Sequence, residues 1–98
     1  MWTPWGKSQE ETEFPGGIRF VSTASHGGFK VPLPLLDRMP VKVRSATFRG
    51  LGLQGWFEED CDASLVPVWF PESFSVEQVA HAIEFRGVLV ERGLAVAS

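Results

Sequence analysis

The clearest periodicity in the chain lies towards its C-terminal end. At about 100° per residue, Val76, Val79, Ala80, Ile83, Gly87 and Val90 fall on one apolar stripe. Ala82, Phe85 and Leu89 form a second stripe, set off by Gln78 and Arg86. Ser75, with Gln78 three residues on, makes a capping box, and Gly93 supplies a stop. The spacing predicts a helix from Val76 to about Arg92. One stripe is expected to pack on a sheet. The second is either covered by the N-terminal Trp residues or left for a partner, because large exposed apolar patches are uncommon on monomers.

Upstream the period shortens to two. In Ile18 to Ala24, Ile18 and Phe20 point one way and Arg19 and Val21 the other, which predicts a strand. Ser25-His26-Gly27-Gly28 reads as a turn, and Phe29 to Val31 as a short second strand that completes a hairpin. Pro32 and Pro34 end it, since neither can donate to a ladder. Leu35 to Arg38 is expected to form one helical turn closed by Pro40. Val41 and Val43 alternate with Lys42 and Arg44, so Val41 to Arg49 is assigned as a third strand. Gly50 to Gly55 then reads as a flexible connection. Residues 1–17, broken by Pro4, Gly6, Pro15, Gly16 and Gly17, read as an arm anchored by Trp2 and Trp5.

One block interrupts the alternation. Trp56-Phe57-Glu58-Glu59-Asp60-Cys61-Asp62 places four carboxylates and the sole cysteine in five consecutive residues, ahead of an apolar run from Ala63 to Phe70. Acidic residues favour the first turn of a helix, so Glu59 to about Trp69 is a helix candidate. Pro67 opposes this, which leaves a short helix ending near Val66, or an extended run. The fold expected is α+β: a small antiparallel sheet of about three strands packed against a C-terminal helix, with a short helix after the acidic block. Residues 1–98 form one domain, an arm followed by a core over 18–93.

Composition fits one modest core: 98 residues, 44% hydrophobic, with four Trp, eight Phe and no Tyr. A lone cysteine gives no internal disulfide, and no apolar run approaches membrane-spanning length. The N-terminus lacks the basic start and apolar stretch of a signal peptide, so a cytoplasmic setting is expected. Net charge is only −3, but it is unevenly spread. Lys30 to Arg49 holds five basic residues against Asp37 alone, whereas Gly50 to Phe85 holds seven acidic residues and no Lys or Arg. Either the two halves neutralise each other in the fold, or an acidic face meets a basic partner.

Candidate chemistry is sparse. Gly50, Gly52 and Gly55 fit a G-x-G-x-x-G spacing, but the carboxylates that follow would repel a pyrophosphate, and a longer βαβ unit is missing. His26 with Asp60 and Asp62 could hold a divalent metal such as Mn²⁺ or Mg²⁺. The alternative is that His26 caps its turn or bonds a nearby carboxylate. His81, beside Glu77 and Glu84, reads as a solvated helix residue. Cys61 beside His26 is a poor nucleophile, because neighbouring carboxylates raise the thiol pKa while a helix start lowers it. Lys42, Arg44, Phe48 and Arg49 make a small basic–aromatic group, but the acidic balance disfavours direct nucleic-acid binding.

The strings Thr3-Pro4-Trp5-Gly6, Gly17-Ile18, Val21 to Gly28, Met39-Pro40, Trp56 to Asp62 and Phe70-Pro71-Glu72 occur in that order. Over roughly residues 3–80 this resembles a small domain of unknown function from proteins of bacteriophages, plasmids and other mobile elements. The resemblance implies no catalytic residues. It does imply a setting in which small proteins inhibit host defence, anti-CRISPR proteins included, by occupying basic surfaces. The expected function is therefore a non-enzymatic protein-interaction module without a cofactor. Its partner-binding residues would be Glu58, Glu59, Asp60, Asp62, Phe85 and Leu89, and a homodimer through the C-terminal helix is a further option. The alternative is a metal-dependent hydrolase or nuclease using His26, Asp60 and Asp62.

Overall fold

The glycine-bearing hairpin is the centre from which the sheet grows. The computed structural model describes residues 1–60 and 62–93. Among the described residues, six short strands come in chain order as β1 (Trp2–Thr3), β2 (Gly6–Lys7), β3 (Glu10–Glu13), β4 (Arg19–Ser22), β5 (Gly27–Lys30) and β6 (Trp56–Glu58). β1 and β2 form a small hairpin, and β3-β4-β5-β6 form a four-stranded antiparallel sheet in that order. Register places Phe20 opposite Phe29 and Phe29 opposite Phe57, so three aromatic side chains line one face. Gly28 lies between Val21 and Glu58 on the other face. There a side chain would strike the Phe57 carbonyl and the Trp5 ring, which explains a glycine in mid-sheet.

The α-helices of the described residues follow the same order: α1 (Leu33–Leu36), α2 (Val41–Ser45), α3 (Leu65–Trp69) and α4 (Val76–Glu91). The core joins Ile18, Phe29, Val31 and Phe57 of the sheet region to Leu36, Met39, Val43, Leu65, Val66 and Phe70. The architecture is thus α+β with a C-terminal helix, and the sheet has four strands rather than three.

Several local expectations change. Val41 to Arg49 is not a strand. Val41–Ser45 is helical, followed by 3₁₀ turns over Phe48–Gln54. The alternation of Val41 with Val43 was misleading, since Val43 is buried and Val41 is 60% exposed. Pro40 sits at the N-cap, and the Arg44 guanidinium donates to the Met39 carbonyl at 2.9 Å, which ties the helix to the preceding turn. The 50–55 segment is packed rather than loose. The Gly52 amide donates to Thr47 Oγ1 at 2.8 Å, and a side chain at Gly52 would meet that hydroxyl and the Arg44 carbonyl. The glycine spacing therefore serves close packing.

The missing strands come from unexpected places. β3, within the expected arm, is the acidic edge strand, and its Glu11 and Glu13 pair with Arg19. β6 comes from the aromatic start of the acidic block. Trp5 packs edge-on against Trp56, with ring centroids 5.7 Å apart, and so rests on the sheet, whereas Trp2 is 78% exposed. Pro67 fits inside α3 because it is the third residue, where the backbone nitrogen has no intrahelical acceptor.

α4 carries the expected capping box. Gln78 donates its amide to Ser75 Oγ, and Ser75 donates its own amide to the Gln78 side chain, at 3.1 and 2.9 Å. Its stripes are reversed, however. Ala82, Arg86 and Leu89 are buried, and α4 packs chiefly on α3. Val76 and Ile83, from the broader stripe, are 86% and 58% exposed.

Candidate functional site

The acidic block and the β4–β5 turn meet at one edge of the sheet. Thr23 shapes that turn: its hydroxyl donates to the His26 carbonyl at 2.7 Å and accepts from the His26 amide at 3.1 Å. The Thr23 amide also donates to the His26 carbonyl, at 2.7 Å. His26 is thereby held at an exposed tip. Across from it, the Glu59 amide donates to the Gly27 carbonyl at 2.9 Å, one step beyond the β5–β6 ladder. The amides of Asp62 and Ala63 both return to the Glu58 carbonyl, at 2.9 and 2.8 Å, and fold the block back on itself.

This folding separates the four carboxylates. Glu59 and Asp60 are exposed, and with His26 they bring ligand atoms within 4.8 Å of one another. Glu58 points inward, its side chain 11% exposed, with Oε1 3.9 Å from His26 Nδ1. Asp62 is buried, and its carboxylate accepts from the Phe48 amide at 2.9 Å. The block is therefore not one acidic face. Of the residues expected to touch a partner, Glu58, Asp62 and Leu89 are buried, whereas Glu59, Asp60 and Phe85 remain accessible. Of the expected metal set His26, Asp60 and Asp62, the first two converge. Asp62 serves the 47–48 turn instead, and Glu59 takes its place. Cys61 lies outside the described residues.

A groove opens beside this cluster. It has a volume of about 310 Å³ and is lined by buried or half-buried Phe29, Ala63, Ser64, Pro67 and Ala82 and by exposed Glu59, Gln78, His81 and Phe85. None of its lining residues is Lys or Arg. A second groove of about 350 Å³ runs along the opposite flank of α4, lined by Phe74, Val76, Val79 and Ile83 among others. Between the two flanks Glu77, Glu84 and Glu91 recur every seven residues, which sets them in a row on the exposed ridge of the helix. The recurrence was visible in the sequence. What could not be read was that the narrower stripe, with Arg86 in it, is the one that turns inward.

The basic half is partly engaged elsewhere. Arg38 pairs with Glu72, which joins the two halves and holds the Glu72 carboxyl below its usual range. Lys30 donates to the Gln54 carbonyl at 2.7 Å and lies 4.7 Å from the centre of the Trp56 ring, and burial pushes its pKa down. Arg49 stacks over its neighbour Phe48.

The family model described as Domain of unknown function (DUF7007) matches residues 1–88. The chain belongs to that family. The match covers the whole sheet, both sides of the His26 cluster and most of α4, so these features lie within this DUF7007 domain. No curated protein and no solved structure matches the chain. Among the described residues, no helix is long and apolar enough to cross a membrane.

Proposed function

We propose that this chain is a non-enzymatic protein-interaction module that engages a basic partner surface through α4 and the groove beside it. The observation that carries this reading is the groove itself: a mainly apolar lining that includes Glu59 and, among the described residues, no Lys or Arg. The adjoining ridge of Glu77, Glu84 and Glu91 extends the negative field along the helix. Apolar area would supply affinity, and the carboxylates would select a cationic surface and speed encounter. A homodimer through α4 would have to keep the Glu77, Glu84 and Glu91 ridges of its two copies apart. The setting in this proposal is cytoplasmic. The phage and plasmid resemblance makes nucleic-acid-binding host defence complexes, CRISPR effectors among them, the first partners to test.

The test is charge reversal. Glu59→Lys with Glu84→Lys, on a chain whose circular dichroism is unchanged, should abolish capture of the partner in a bacterial pull-down. Phe85→Ala should weaken it, and raised salt should weaken the wild-type complex. Equal capture of the same protein by the reversed variant would end the proposal. The alternative, a metal-dependent hydrolase or nuclease, would have to use Glu59 beside His26 and Asp60, since Asp62 accepts from the Phe48 amide.

A further inference from the structure

Given α4 as the interaction helix proposed above, we infer that its partner surface is a cleft in another protein. The cleft has an apolar wall against each flank of the helix. Its floor carries Lys or Arg residues that face Glu77, Glu84 and Glu91.

The first observation is the order of side chains around α4. Ala82, Arg86 and Leu89 are buried. At about 100° per residue, Glu77, Glu84 and Glu91 fall nearly opposite them, at the apex of the exposed arc. Val76 and Ile83 are exposed on one flank of this ridge, and Phe85 and Val88 on the other. Each flank carries a hollow: the groove of about 350 Å³ along Val76, Val79 and Ile83, and one of about 310 Å³ along His81, Glu84, Phe85 and Val88. The only Lys or Arg from Val76 to Glu91 is the buried Arg86. A flat partner would meet one flank or the ridge. A concave one meets both apolar flanks and the carboxylates together, which is helix-in-groove recognition. Successive glutamates of the ridge stand about 10 Å apart along the axis, so the cations of the floor are expected at that spacing.

The second observation is Gly87. It lies in mid-helix beside Ile83, Glu84, Val90 and Glu91. Glycine weakens a helix there, and no positive φ calls for it. Beyond the helix's own backbone, no atom lies within 4 Å of where its side chain would begin, so the packing of the chain does not call for it either. A bare position between the ridge and an apolar flank lets a wall of the cleft come close to the helix backbone.

The probe is the full chain with photoreactive benzoylphenylalanine in place of Ile83 or of Val88, irradiated in a bacterial lysate. Both positions should form adducts with the same protein, on two separate stretches of it, with Lys or Arg residues lying between them. Gly87→Ala should raise the Tm of the free chain, yet lower the yield of each adduct by about tenfold. Ile83→Ser, on a chain with unchanged circular dichroism, should weaken capture of that protein as much as Phe85→Ala does. An adduct from Val88 alone would overturn the cleft and leave one-sided binding through the groove standing. An Ile83 adduct with a second copy of this chain or with nucleic acid would also overturn it, as would no adduct from either position. Undiminished adducts from the Gly87→Ala chain would overturn the close approach. The Glu59→Lys with Glu84→Lys variant tests the underlying reading separately, since its equal capture removes that reading whatever the adducts show.

Discussion

At the scale of single residues, two neighbours in the acidic block have opposite roles. Asp62 is buried and accepts from the Phe48 amide, which pins the 3₁₀ segment to the turn after β6. Asp60 is exposed two residues earlier. Asp62→Ala should therefore destabilise the fold by about 1–3 kcal/mol, the usual loss when a hydrogen bond to a charged group is removed. Asp60→Ala should stay within about 0.5 kcal/mol, as surface changes do. Urea denaturation of both variants checks this, and equal losses would mean that Asp62 is not an anchor. The sequence placed His26 and the block together but could not rank the four carboxylates. Their directions depend on two amides returning to one carbonyl at Glu58, a turn that no spacing of residue types announces.

At the scale of elements, legibility followed the strength of local signals. α4 was read nearly to the residue because its cap is built from adjacent side chains. Ser75→Ala should cost about 1 kcal/mol, measured as a lower midpoint in chemical denaturation, with Ser75→Asp restoring most of it. No change on Ser75→Ala would mean that packing on α3 alone holds the first turn. The hairpin of β4 and β5 was also legible from its polar tip and glycines. β3 was hidden because three glutamates look like a solvated arm, yet an edge strand tolerates them and gains from their pairing with Arg19. β6 is three residues long, too short for any period to show. α2 was misread because two valines at alternate positions satisfy a strand pattern, whereas only one of them meets the core.

At the scale of the whole molecule, distant segments are tied by exposed ion pairs whose protonation sets acid stability. Glu11 accepts from the Ser8 hydroxyl at 2.8 Å and lies near the N-terminal amine and Arg19, and its carboxyl is held below the usual value of 4.5. Glu72 is held below 4.5 first by the Arg38 hydrogen bond, which links the end of α1 to the turn after α3. Both are carboxyls whose folded pKa is depressed. Their stabilisation is fully present above pH 4.5 and is lost as pH falls through the lowered folded values. Lys30 acts in the opposite range: burial lowers its folded pKa from 10.5, so stability rises as pH climbs through that lowered value. The expected melting profile is flat near neutrality, falls in acid below 4.5, and rises slightly on the alkaline side. Glu72→Gln isolates one tie. It should lower Tm at pH 7, and the gap to wild type should close as the pH drops below the lowered value of Glu72. A gap that stayed constant across the acid range would show that Arg38 and Glu72 contribute packing and not charge. The effect should also shrink in concentrated salt, because both side chains are about half exposed and salt screens such pairs.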